Sequence, residues 1–110
     1  MINEKKMDQI MLELGHTDNL LGTGYLRQAV GLYDAGTRGI TCELYPAVAA
    51  AVNATPSQVE RNIRHSIEAA WNRGSYDAQQ RYFGYSVNPA SGRPTVAEYI
   101  ARMARLCREN

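Results

Sequence analysis

Apolar residues recur every three or four positions along most of this chain. This spacing is typical of helices that pack one face on a core. Six such segments are predicted, over residues of about 3–14, 22–33, 43–52, 55–73, 76–82 and 95–108. The stretch Arg38–Leu44 is the only strand candidate, and no second strand is available to pair with it. The predicted fold is therefore all-α, a compact six-helix domain over residues 1–110.

The fourth segment has the clearest division into an apolar and a polar side. At about 100° per residue, its main apolar side chains fall within roughly 120° of arc. They are Val59, Ile63, Ile67, Ala70 and Trp71. The opposite side carries Gln58, Arg61, His65 and Glu68, with Ser57 and Arg64 on one flank. The apolar stripe predicts packing on the rest of the domain, so the polar side is left to meet another molecule.

Strong start signals precede this segment. Thr55 is a favourable N-cap, and Pro56 suits the first helical position because its missing N–H has no intrahelical partner there. Gln58 follows Thr55 by three residues, which is the spacing of a capping box. These signals predict that the helix begins at residue 55 or 56.

The third and fourth segments are separated only by the tight connector Asn53-Ala54. Two helices joined in this way are typical of a helix-turn-helix, whose second helix lies in the major groove of DNA. We therefore predict a helix-turn-helix over residues of about 43–73, with residues 55–73 as the recognition helix.

The distribution of charge is more informative than its total of +1. Residues 1–55 carry four basic and six acidic side chains, whereas residues 56–110 carry eight basic and five acidic ones. All eight basic residues of the second half are arginines, which form forked contacts with phosphate and guanine. The pattern is compatible with a nucleic-acid partner and also with an ordinary solvated surface.

Other kinds of chemistry find little support in the sequence. Cys42 and Cys107 fit no metal or redox spacing, which favours a reduced, cytoplasmic chain. His16 and His65 belong to no catalytic or zinc-binding pattern, and no phosphate-loop or dinucleotide fingerprint is present. No apolar run approaches the roughly 18 residues of a membrane span. We predict neither an enzyme, a cofactor nor a membrane partner.

One long block resembles a known family, the C-terminal DNA-binding effector domains of the stage zero sporulation response regulators. The block reads Val59-Glu60-Arg61-x-Ile63-Arg64-His65-x-Ile67-Glu68-x-Ala70-Trp71-x-Arg73-Gly74. Shorter likenesses flank it: Gly22-x-x-Tyr25-Leu26-Arg27-x-Ala29, Leu44-Tyr45-Pro46-x-Val48-Ala49, Phe83-Gly84-Tyr85 and Arg93-Pro94-Thr95-x-x-Glu98-Tyr99-Ile100. The resemblance covers roughly residues 7 to 106.

This resemblance implies a six-helix transcription regulator that binds G-containing boxes in double-stranded promoter DNA, with self-association on tandem sites. The family's base-reading positions match Glu60, Arg61 and His65. Its contact with the sigma subunit of RNA polymerase aligns with residues 75–85, where the candidate residues are Asp77, Gln80, Arg81 and Phe83.

The chain departs from the family in four places. Gln58 replaces the arginine that usually precedes the Val-Glu-Arg triplet, and Asn62 replaces a small residue after it. The serine-rich character of the polymerase-contacting segment is lost. The family also carries an N-terminal receiver domain, whereas only six residues precede the part of this sequence that resembles the family, so no receiver domain is predicted here.

Each residue on the polar side has a specific chemical role open to it. Arg61 is the best base reader, since arginine donates two parallel hydrogen bonds to guanine. Gln58 either reads adenine or caps the helix, and Glu60 either accepts from cytosine or orients a neighbouring arginine. His65 bonds a base or a phosphate, or is a neutral surface residue. The candidate phosphate clamps are Ser57, Arg64 and Arg73.

A second hypothesis is a protein-interaction module derived from this domain. The loss of an arginine at Gln58 and the balanced net charge both favour it. A continuous positive band around Arg61, Arg64 and Arg73 would favour DNA, whereas acidic groups that interrupt the band would favour a protein partner.

Overall fold

The computed structural model describes residues 1–84 and 92–108, and this part of the chain contains six α-helices. They are α1 (Glu4–Glu13), α2 (Leu21–Asp34), α3 (Tyr45–Val52), α4 (Pro56–Arg73), α5 (Tyr76–Phe83) and α6 (Val96–Cys107). Extended pairing in these residues is limited to one isolated bridge, between Ile2 and Arg108. The all-α prediction is confirmed, and none of the described helices combines the length and apolar character needed to cross a membrane.

The stretch considered as a strand is helical instead. Residues Ile40–Leu44 form one turn of π-helix that runs directly into α3. The amide of Leu44 donates to the carbonyl of Gly39, five residues earlier, at 2.8 Å. A lone strand would leave its backbone groups without partners, whereas this turn satisfies them locally. The predicted loop between the last two helices lies mostly outside the described residues, from residue 85 to residue 91.

Side-chain caps fix where four of the described helices begin, namely α1, α4, α5 and α6. The side chain of Asn3 accepts from the amide of Lys6, and that of Ser75 accepts from the amide of Ala78. Both Thr55 and Thr95 form complete capping boxes with the residue three positions later. Because these caps are local sequence features, the predicted starts fall within about two residues of the observed ones.

Helix α2 lies at the centre of the fold and packs against α4, α6 and α3. It approaches α4 so closely that a Cβ atom at Gly22 would lie 1.9 Å from the carbonyl oxygen of Asn62. Only glycine permits this contact between two helix backbones. The crossing point of α2 and α4 is therefore set by a single hydrogen atom in place of a side chain.

A second glycine contact joins the end of α1 to the end of α4. A Cβ atom at Gly74 would lie 2.3 Å from the carbonyl oxygen of Leu14, and one at Gly15 would lie 2.8 Å from that of Ala70. Gly15 also has a positive φ of 93°, which few other residues adopt. Close backbone contacts thus hold α4 at Asn62, within the helix, and at its C-terminal end.

The core below α4 contains a group of aromatic rings. Phe83 stacks on Tyr99 with centroids 4.6 Å apart, and Trp71 meets both rings edge-on at 5.8 and 6.4 Å. Tyr99 and Phe83 are fully buried, whereas Trp71 is partly exposed. Trp71 therefore serves as a core residue at the boundary of the domain, as its place on the apolar stripe predicts.

A chain of hydrogen bonds crosses the core between four elements. The hydroxyl of Thr23 donates to the carbonyl of Thr17 at 2.7 Å and lies 3.1 Å from the hydroxyl of Ser66. His16 lies 3.2 Å from Ser66 through Nδ1 and 2.6 Å from the hydroxyl of Tyr99 through Nε2. The hydroxyl proton of Thr23 is donated to Thr17, so Thr23 can accept from Ser66. The other hydrogen bonds can then all run in one direction, with Tyr99 donating to His16 and His16 donating to Ser66.

This order places one proton on Nδ1 of His16 and leaves Nε2 as an acceptor. The neutral ring is also the form that burial favours, because burial and, to a smaller extent, the charge of Arg27 lower the pKa of His16 to about 4. His16 is therefore a neutral structural residue that ties the loop after α1 to α4 and α6.

Candidate nucleic-acid interface

The two sides of α4 differ as the sequence pattern predicts. Its inner side buries Val59, Ile63, Ser66, Ile67 and Ala70. Its outer side exposes Ser57, Gln58, Arg61, Arg64 and His65, Glu60 is partly exposed at its edge, and Arg73 is exposed as the last residue of the helix. All seven residues predicted to contact DNA are therefore at least partly exposed along one helix.

The connection from α3 to α4 is tight. Asn53 ends α3 in the left-handed conformation, with φ of 57° and ψ of 49°, which asparagine tolerates better than most residues. The amide of Ala54 then donates to the carbonyl of Ala49 at 3.0 Å, and Thr55 caps α4. Helices α3 and α4 also pack on each other. This arrangement is consistent with a helix-turn-helix.

Gln58 adopts the capping role that the spacing to Thr55 allows. Its side-chain oxygen accepts from the amide of Thr55 at 2.9 Å, and its own amide donates to the hydroxyl of Thr55 at 3.2 Å. Asn62 donates to the carbonyl of Gln58 at 2.7 Å, so its amide is also used within the helix. The two positions that depart from the family pattern thus both bond to the first turns of α4.

Glu60 forms an ion pair with Arg64, one turn further along α4. Nη1 of Arg64 lies 2.8 Å from Oε1 of Glu60. The side chain of Arg64 is 51% exposed, and exposed pairs of this kind contribute about 0–1 kcal/mol. The carboxylate therefore orients the guanidinium group without holding it firmly, and a phosphate could replace the carboxylate as its partner.

Arg61, His65 and Arg73 form no hydrogen bond or ion pair within residues 1–84 and 92–108. Arg61 lies five residues after the first residue of α4, or about 7 Å along its axis at 1.5 Å per residue. Arg73 lies about 18 Å beyond Arg61 on the same basis and, at about 100° per residue, is rotated from it by roughly 120° about the helix axis. These two arginines therefore cannot both meet base edges at one point of a duplex.

The outer side of α4 is also linked to the segment that precedes α6. Arg93 donates to Glu68 at 2.9 Å, and Nε1 of Trp71 donates to the carbonyl of Gly92 at 2.9 Å. Neither contact is predictable from the sequence, because the partners are more than 20 residues apart and neither pair belongs to a repeated pattern. This segment forms a flank of the exposed face.

The charge of this face is mixed but arginine-dominated. Its two carboxylates, those of Glu60 and Glu68, each pair with an arginine. Arg61 and Arg73 add positive charge without a nearby acidic partner among the described residues. Acidic groups therefore interrupt the positive band, but they do not reverse its sign.

The proposed polymerase-contacting residues are divided between surface and core. Asp77, Gln80 and Arg81 are exposed on α5, with Arg81 3.6 Å from Glu13. Phe83 differs from the prediction, since its side chain is only 1% exposed and stacks on Tyr99. A side chain buried in this way has no surface to offer a partner, so Phe83 belongs to the core. The end of the aligned segment, residue 85, lies outside the described residues.

A small recess opens between α3 and the start of α4. It is lined by Tyr45, Pro56, Ser57 and Glu60 and has a volume of about 200 Å³. Tyr45 is largely buried, and this burial, together with the negative charge of Glu60, raises the pKa of its phenol. The recess adjoins the exposed face because Ser57 and Glu60 belong to both.

The sequence of this chain matches the family model described as sporulation initiation factor Spo0A C terminal, over residues 7–106. The match covers nearly the whole chain, and the chain belongs to this family of DNA-binding sporulation regulator domains. The family is not a known enzyme family. The resemblance predicted from the block at 59–74 is thereby confirmed.

Proposed function

We propose that this domain is a sequence-specific transcription regulator that reads double-stranded promoter DNA with the first half of α4 in the major groove. The observation that carries the proposal is the position of Arg61. Its guanidinium group is exposed near the start of α4, on the side opposite the packed core, and it has no protein partner among the described residues. An arginine placed in this way is available for a guanine.

Base reading is assigned to Arg61 and His65, which lie one turn apart on the exposed side. Arg61 donates to O6 and N7 of guanine, and His65 bonds to a neighbouring base or phosphate. Gln58 and Glu60 support these contacts mainly by organising the helix, since one caps α4 and the other holds Arg64. The preferred DNA sequence should therefore differ from that of relatives with an arginine at position 58.

Phosphate binding is assigned to Arg64, Arg73 and the backbone N–H group of Ser57. Ser57 lies in the first turn of α4, where free backbone N–H groups and the helix dipole favour an anion. Arg64 reaches a phosphate by leaving Glu60. Arg73, at the far end of α4, meets the backbone outside the groove. These contacts fix the register of the helix without reading the sequence.

Two further partners are part of the proposal. The exposed residues Asp77, Gln80 and Arg81 of α5 would contact the sigma subunit of RNA polymerase, and two copies of the domain would associate on tandem DNA sites. Phe83 is not included because it is buried.

A second candidate function is a protein-interaction module. The two carboxylates on the exposed side of α4, together with glutamine at position 58, favour it over a uniformly basic surface. In this case the domain would bind a partner protein through α4 and show no preference among DNA sequences.

The test is a titration of the domain against a duplex selected from a random DNA pool and against an unrelated duplex. We expect Arg61→Ala to weaken specific binding by about 1–3 kcal/mol and to relax the preference at one base pair. Arg81→Ala, which removes an exposed arginine from α5, is the matched control and should leave both affinities unchanged. Unchanged specific binding by Arg61→Ala would contradict the assignment of Arg61, and absence of any preferred duplex would favour the protein-interaction module.

A further inference from the structure

The recess at the start of α4 has walls of two chemical kinds. Two of its lining residues, Tyr45 and Pro56, carry rings, whereas Ser57 carries a hydroxyl group and Glu60 a carboxylate. Tyr45 is only 6% exposed, so its ring is fixed by the surrounding core. Pro56 has a ring-constrained backbone and occupies the first position of a capped helix. The recess is therefore held in shape by its surroundings before any ligand arrives.

The position of the recess decides what could enter it. Ser57 and Glu60 belong to the first turns of α4, the same turns that the proposed function places in the major groove. Among the four bases, only thymine presents an apolar group there, the methyl group on C5. Beside this methyl group lies O4, a hydrogen-bond acceptor. An apolar recess with an adjacent hydroxyl donor matches this pair of features.

We propose that the recess receives the C5-methyl group of a thymine, with the hydroxyl of Ser57 donating to O4. This inference rests on the proposed function, since the recess reaches a base only when α4 lies in the major groove. Cytosine is selected against because it lacks the methyl group that would fill the recess. Tyr45 and Pro56 are thus assigned a role in specificity that base-reading side chains alone do not provide.

The test replaces each thymine of the selected duplex, one at a time, by deoxyuridine. This change removes the methyl group and leaves every hydrogen-bonding atom in place. We expect one thymine in each recognition site to show a loss of affinity of about fourfold, which corresponds to the burial of one methyl-sized group. The remaining thymines and the unrelated duplex should show no change.

A pair of proline variants assigns the effect to the recess. Pro56→Ala removes one apolar wall, so the fourfold difference between thymine and deoxyuridine should fall to less than twofold. Pro46→Ala is the matched control because Pro46 also lies in the first turn of its helix and is exposed, but it does not line the recess. Thermal melting of both variants verifies that each remains folded.

The outcomes of these experiments distinguish failure of the thymine inference from failure of the proposed function. A domain that selects a duplex but tolerates deoxyuridine at every position overturns the thymine inference and leaves the proposed function standing. So does a methyl effect that persists in full in Pro56→Ala, or a selected site without thymine. A domain that selects no duplex overturns the proposed function and this inference together.

Discussion

The inner and outer sides of α4 differ in how firmly their residues are held by the rest of the domain. On the inner side, Gly22 brings two helix backbones into contact and Ser66 joins a continuous chain of hydrogen bonds through the core. On the outer side, the contacts are exposed ion pairs such as that of Glu60 with Arg64, while Arg61 forms none among the described residues. One side fixes the position of the helix and the other leaves its functional groups available. Changes on the inner side should therefore affect stability, and changes on the outer side should affect binding.

The strongest test of this division is Gly22→Ala. The new methyl group would lie 1.9 Å from the carbonyl oxygen of Asn62, and a backbone atom in a packed helix cannot move aside easily. We expect the free energy of unfolding to fall by about 3 kcal/mol, measured by chemical denaturation. If this variant were as stable as the parent, the close contact between the backbones of α2 and α4 at Gly22 would not be what fixes the position of α4.

Two other glycines of the same helix provide the control. A Cβ atom at Gly24 or Gly31 would meet nothing within 4 Å. Alanine at either position should instead stabilise α2 by about 0.5–1 kcal/mol, because alanine has the higher helix propensity. Opposite signs at Gly22 and Gly24 would identify backbone crowding as the cause.

Acidification should weaken the inner side in a defined range of pH. The folded protein holds the pKa of His16 at about 4, below its ordinary value of 6.5, so the unfolded chain binds more protons between these values. Stability should therefore be complete above about pH 6.5, fall as the pH decreases towards about 4, and lose nothing further from this group below that. The expected loss is on the order of 3 kcal/mol, measured by denaturation at a series of pH values.

His16→Gln separates this effect from the titration of carboxylates. Hydrogen bonds also lower the pKa values of Glu13 and Asp34, whose contributions are lost at lower pH. The difference between parent and variant therefore isolates the histidine. The same slope between pH 6.5 and 4 in both proteins would show that His16 does not cause the loss.

The smallest expected effect belongs to the outer side. Arg64→Ala removes a proposed phosphate contact, so we expect affinity for all duplexes to fall by a similar factor. The slope of log affinity against log salt should fall by about one, and the unfolding free energy should change by less than about 0.5 kcal/mol. If affinity instead fell only for duplexes with one particular base pair, Arg64 would be a base-reading residue and not a phosphate contact.

The sequence predicts the orientation and the start of α4 but not the hydrogen-bond partners on its inner side. The period of Val59, Ile63 and Ile67 gave the orientation of the helix, and Thr55 with Gln58 gave its start. Ser66 has the same spacing, since it follows Val59 by seven residues. A polar residue among apolar ones is expected to need a hydrogen-bond partner, but its position does not indicate which residue that partner is. Its bonds to His16 and Thr23 depend on elements 43 and 50 residues away.

The candidate site was predictable where it depends on one helix and unpredictable where it depends on two. Arg61, Arg64 and His65 share a face because of helical geometry, which follows directly from their spacing in the sequence. The pairing of Glu68 with Arg93 and the recess between Tyr45 and Pro56 require separate elements to meet. The buried position of Phe83 likewise follows from its stacking on Tyr99 of another helix.

By itself, the sequence determined the all-α class, the starts of the capped helices, the two sides of α4 and the family. Each of these follows from local propensity, from helical period or from a contiguous block of residues, all of which are short-range properties. Only the tertiary structure decided that residues 40–44 form a π-helical turn, that Gly22 is a contact point, that Phe83 is buried and that a recess adjoins Ser57. These features arise from contacts between distant segments or from the way the chain enters a packed helix, and no local pattern specifies them.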